Sequence, residues 1–192
     1  MKSHKPQIVA ICLLIALFVS ISHVGAYVYN GFKWSSRNIS YDKHTLSTAW
    51  QSVAWNGAVQ WNNVTPSNFT WSPTNSWSNV NDVYMASIDG AGNILGATTV
   101  YYTFGIIWQI NMRFDTAENW YTGMGTPGSN QVDAWSVAAH EFGHAVGIGH
   151  TNLSCSGSYS SRPTMCAYYT MGQTYPRSLH TDDRNALNYI YP

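Results

Sequence analysis

Charge is what this 192-residue chain has least of: nine Lys or Arg and nine Asp or Glu, 9% of all residues. No basic patch gathers from so few, so nucleic acid is not an expected partner. Cysteine is also scarce, with Cys12, Cys155 and Cys166 only. No internal repeat is present, and no linker marks off a second domain. Nor is there an apolar run of comfortable transmembrane length. The run over 8–19, interrupted only by Cys12, follows Lys2 and Lys5 and reads as the hydrophobic region of a signal peptide.

Val24, Gly25 and Ala26 put small residues before a cut after Ala26. The expected division is therefore a signal peptide over 1–26 and one domain over 27–192, long enough for one hydrophobic core. Without Lys2 and Lys5, seven of the nine basic residues face nine acidic ones, a net charge of about −2. The expectation is a secreted protein with no stable membrane association after cleavage. Cys12 leaves with the leader, and Cys155 and Cys166 remain. In an oxidising compartment the pair reads as a disulfide, with two free thiols as the alternative.

Three imidazoles and one carboxylate stand out against this background. His140-Glu141-Phe142-Gly143-His144-Ala145-Val146-Gly147-Ile148-Gly149-His150 has the spacing H-E-x-x-H-x-x-G-x-x-H. On a helix His140 and His144 lie four residues apart and project from one face. Gly147 permits φ > 0, so the chain can leave the helix and turn His150 back toward the same point. Three neutral nitrogens suit one zinc and leave its fourth position open, as catalytic rather than structural sites do. Glu141 is then the general base and not a ligand.

This pattern resembles that of the metzincin metallopeptidases. Pro163-Thr164-Met165-Cys166-Ala167-Tyr168-Tyr169 looks like their methionine turn, with Met165 beneath the metal; Met171 matches less well. Ser178-Leu179-His180-Thr181-Asp182-Asp183, followed by Ala186, Leu187 and Ile190, resembles the last helix of one branch, the matrixins. Upstream, residues 34–41 look like that family's first strand, 58–66 like the end of its first helix, and 81–85 like a core strand. The resemblance implies an α/β (α+β) metzincin fold, a twisted, mostly parallel sheet with three helices, an active-site helix and a Met-turn. It also implies a monomeric zinc endopeptidase acting on protein or peptide substrates. Leu95, Gly96 and Ala97 would pair with extended substrate, and Ser136 and Tyr169 would line the site.

The same resemblance suggests calcium at Asp89, Gly90, Gly92 and Ile94 with Asp115 and Glu118, an oxygen-only set of the kind Ca²⁺ prefers. The competing reading is an Asp-Gly turn beside a solvated acidic loop. Ala97 and Arg113 stand where matrixins carry structural-zinc histidines, so one zinc is expected. No cysteine-bearing segment separates the leader from the first strand, so latency through a cysteine ligand is not expected. Two other functions would use the same site: a secreted binding or adhesion module that keeps zinc for folding, and a zinc amidase acting on cell-wall peptides.

Pattern alone places a first helix over 45–63, from apolar residues at three- and four-residue steps. It reads 67–79 as loop with room for one short strand, and 81–88 and 97–104 as β-rich. The catalytic helix is expected from an Asp133 cap to about Gly147, and the last helix from a Thr181 cap.

Overall fold

Strand alternation and two apolar helix stripes build the frame. The computed structural model describes residues 26–156, 158 and 162–192. The expected leader, apart from Ala26, lies outside the described residues. In chain order the elements are β1 (Lys33–Trp34), β2 (Asn38–Asp42), α1 (Thr48–Asn62), β3 (Thr70–Thr74), β4 (Asp82–Ala86), β5 (Gly96–Thr103), β6 (Ile106–Asp115), β7 (Trp120–Tyr121), β8 (Val132–Asp133), α2 (Ala134–Ala145) and α3 (Thr181–Ile190).

Six strands form one sheet in the order β1-β6-β4-β2-β3, with β5 on the other side of β6. Every pairing in it is parallel except β5 with β6. Helix α1 packs on α2 and β3, while α2 reaches β5 and β6. This is the expected metzincin-like architecture. Phe142 of α2 descends into an aromatic cluster, edge-on to Tyr41 at 5.0 Å and to Trp71 at 5.2 Å between ring centres. All three are fully buried, so the helix that carries the histidines is anchored by aromatic packing worth about 0.5–1.5 kcal/mol per pair beyond area burial.

Three sequence expectations need correction. The first strand is two, because Ser36 Oγ folds back on the Asn38 backbone and bends the chain between β1 and β2. The short strand allowed within 67–79 is β3, paired with β2 from Asn38↔Thr70 to Asp42↔Thr74. Its Pro73 is tolerated because β3 is the edge strand. Helix α1 starts at Thr48, after a turn in which Leu46 N–H donates to Lys43. Thr181 is the first residue of α3, not its cap. His180 caps it, its Nδ1 accepting from Asp182 N–H while Asp183 accepts from His180 N–H.

Candidate metal centre and its cleft

Both ends of α2 are fixed by bonds that begin outside it. At its start Asp133 accepts from Ser136 N–H at 3.0 Å, the cap read from the sequence. Arg177 grips the same buried carboxylate through Nε at 2.9 Å and Nη2 at 2.6 Å. At its end, carbonyls that a helix leaves unpaired find partners: Trp34 Nε1 donates to Ala145, and Tyr191 Oη to Val146. Gly147 then turns the chain at φ +97°, a conformation that favours glycine. His150 returns toward the helix.

The three imidazoles converge. His150 Nε2 lies 3.2 Å from His140 Nε2 and 3.2 Å from His144 Nε2. A tetrahedral ion with zinc–nitrogen bonds of about 2.0–2.1 Å holds its ligand nitrogens roughly 3.3 Å apart, so the spacing fits zinc. The far side of two rings fixes the tautomer. His140 Nδ1 donates to Thr164 O and His144 Nδ1 to Ile148 O, both at 2.8 Å. A carbonyl can only accept, so each Nδ1 carries the proton and each Nε2 keeps its lone pair for a metal. Burial and the neighbouring His144 push His140 down to about 3, against the Thr164 carbonyl, and burial lowers His144 and His150 as well. All three are therefore neutral near pH 7. Among the described residues they form the one group of His, Cys, Asp and Glu with the compactness a metal needs.

Glu141 is buried beside this group, and burial pushes its carboxyl up to about 7. Thr98 Oγ donates to its Oε2 at 2.7 Å. Met165 packs under the metal site against Gly143, where an added Cβ would overlap its Sδ. Asp183 holds that turn in place, accepting from Thr164 N–H at 2.8 Å and Met165 N–H at 3.2 Å. Cys166 is disulfide-bonded to Cys155.

A cavity of about 550 Å³ runs past the histidines and Glu141, and Leu95, Gly96, Ala97, Ser136 and Tyr169 all line it. The far edge of β5 pairs with no strand among the described residues. Ser136 presents little chemistry, since its hydroxyl donates to Asp133 at 2.7 Å. The Tyr169 hydroxyl accepts from Asp133 N–H and meets the Gln173 carbonyl. It serves the wall rather than the cleft.

In the acidic loop the carboxylates meet backbone donors. Asp115 Oδ2 accepts from Asp89 and Gly90 N–H, its Oδ1 accepts from Ala117 N–H, and Glu118 accepts from Gly92 N–H at 2.6 Å. Asp89 accepts from Ile94 N–H. These oxygens latch backbone, and the three carboxylates do not gather into a metal-sized group. Backbone donors accordingly lower the Asp115 carboxyl.

The sequence reading missed Thr98, Arg177 and the latch from Asp183. The first two lie 43 and 44 residues from their partners, so only the strand alternation that pairs position 98 with position 96 carried a signal.

The profile of a family described as Matrixin matches residues 33–192. Stromelysin-3 of Mus musculus is 30% identical over 183 residues, 86% of this chain and 32% of that protein. Matrix metalloproteinase-16 of Homo sapiens is 27% identical over 183 residues, 86% of this chain and 28% of its own length. Karilysin of Tannerella forsythia is 27% identical over 178 residues, covering 86% and 34%. The chain thus spans about a third of the length of the curated relatives it matches.

Proposed function

This chain belongs to the matrixin family, and from that premise we propose that it is a secreted zinc endopeptidase that hydrolyses peptide bonds in proteins. One observation carries the proposal: three imidazole lone pairs at zinc spacing, with a buried carboxylate beside them in an open cleft. His140, His144 and His150 would hold one zinc. When bound, zinc supplies Lewis acidity, polarising a scissile carbonyl and acidifying water.

The remaining steps belong to the chain. Leu95 and the free edge of β5 at Gly96 and Ala97 align an extended substrate by strand pairing. Glu141 takes a proton from the attacking water and hands it to the leaving amine nitrogen. Met165 contributes shape beneath the site, and Tyr169 closes the pocket wall.

Secretion is supported by the Cys155–Cys166 bond, which belongs to oxidising compartments. A leader over 1–26, a catalytic domain over 27–192 and a monomeric state without nucleic acid complete the reading. Calcium would enter only as an added brace beside the 89–94 loop, where the carboxylates of Asp89, Asp115 and Glu118 already accept from backbone N–H groups. A calcium titration that leaves the melting temperatures of wild type and Asp115→Ala unmoved removes it.

The deciding experiment digests a degenerate peptide library with purified protein, with and without chelator, and repeats it with Glu141→Ala. Chelator-sensitive cleavage should fall at least about a hundredfold in the variant while zinc content is kept. Undiminished turnover in Glu141→Ala would defeat the mechanism.

A further inference from the structure

Strand alternation puts Gly96 and Thr98 on the same face of β5, two residues apart and turned toward α2. Both meet the same side chain. A Cβ at Gly96 would stand 3.1 Å from Glu141 Cγ and Oε1. Thr98 Oγ lies 2.7 Å from Glu141 Oε2 and 3.2 Å from the Glu141 backbone carbonyl. A hydroxyl has one proton to give, and the shorter, charge-assisted contact to the carboxylate takes it. Among the described residues no other donor reaches this carboxylate.

We propose that Thr98 is the positioning residue for the proton-accepting carboxylate: by holding Oε2, it leaves Oε1 as the oxygen offered to the cleft. The inference rests on the peptidase reading above. A carboxylate pinned at one oxygen cannot rotate to share both with the reacting water, so its free lone pair keeps one direction. The proton balance is simple. Water gives its proton to Oε1, which passes it to the leaving nitrogen, and Thr98 keeps its own proton on Oγ, donated to Oε2 throughout. Gly96 serves the same end by absence, because a side chain there would crowd Oε1.

The strand does not need this hydroxyl. Thr98 pairs with Met112 through backbone, and a β-branched residue of the same shape fits the position. Loss of the hydroxyl should therefore act on the carboxylate and not on β5. A merely structural threonine would lower stability or substrate affinity; a positioning threonine lowers kcat.

The test compares wild type, Thr98→Val, Thr98→Ala and Thr98→Ser on one fluorogenic peptide, with kcat and KM separated. Zinc affinity is measured alongside by competition with a colorimetric chelator. Thr98→Val should lose about tenfold to a hundredfold in kcat, the range a misplaced catalytic group costs. KM and zinc affinity should stay within about twofold, as expected when transition-state stabilisation is lost and ground-state binding is not. Thr98→Ser should recover most of the loss. Thr98→Ala repeats the deletion without added bulk if the valine chain does not fold. A cleaving wild type whose valine and alanine variants keep kcat overturns the role of Thr98 alone, as does a loss confined to KM or zinc affinity, or a serine variant as slow as valine. A wild type without chelator-sensitive cleavage overturns the peptidase reading and this role with it.

Discussion

A carboxyl that burial holds at about 7 leaves a pH signature when metal is removed. Unfolding returns Glu141 to its ordinary 4.5. Between these values the folded chain binds the proton more tightly than the unfolded one. This group therefore stabilises the metal-free fold fully below pH 4.5 and loses that contribution as pH rises through about 7. Glu141→Gln keeps the shape and never ionises. In chelator, the melting temperature of Glu141→Gln should gain on wild type across that window and hold a constant lead above it. His140, His144 and His150 titrate in both proteins and largely cancel in the difference. A lead that does not change from pH 4.5 to pH 8 would put the Glu141 carboxyl back in its ordinary range. Glu141 and the histidines were legible because their spacing is local and one helix turn decides where they point. Thr98 was not, because its partner is chosen by how β5 lies on α2.

Elements show the same division between local and distant causes. The Asp133 cap was readable from Asp and Ser three residues apart, but the guanidinium that neutralises it comes from Arg177 on the far side of the Met-turn. Strand β6 escaped the sequence reading for a geometric reason. Its buried apolar side chains are Ile107, Ile110, Met112 and Phe114, and the step of three from 107 to 110 breaks the two-residue period. The cause is a bulge in β6 itself: Tyr101 faces Gln109 while Tyr102 faces Ile107, leaving Trp108 unmatched. Arg177 supplies the prediction at this scale. Asp133 is wholly buried and Arg177 only partly so, so removing the cation leaves a charge in the interior. Arg177→Met should cost about 2–4 kcal/mol in urea unfolding, somewhat below the range for a fully buried pair because water can partly reach the site. Adding Asp133→Asn should restore part of that, since the uncompensated charge is gone while an amide oxygen can still cap the helix. A double variant that is worse by the sum of both single losses would show that the pair contributes through packing alone.

Across the whole molecule, the metal site draws on α2, the turn after it, the Met-turn and α3, and each part has a hold of its own within the protein. Thr164 and Ile148 carbonyls orient two rings, Asp183 latches the Met-turn, and aromatic packing anchors Phe142. A site pre-formed in this way should lose stability on chelation without losing its fold, unlike small domains that are unfolded until metal arrives. Zinc at a thousandfold excess over its Kd stabilises the native state by about 4 kcal/mol. For a domain of this size each kcal/mol moves the melting temperature roughly 2–4 °C, so removal should lower it by about 8–16 °C. Far-UV circular dichroism at 25 °C should stay unchanged, and one equivalent of zinc should restore both melting temperature and cleavage. Collapse of the dichroism signal on chelation would point to the alternative class, a binding module whose zinc is there to fold it. The pre-formed histidines and the free edge of β5 argue for the first outcome, because a metal kept only for folding has no need of an open cleft or a buried carboxylate beside it.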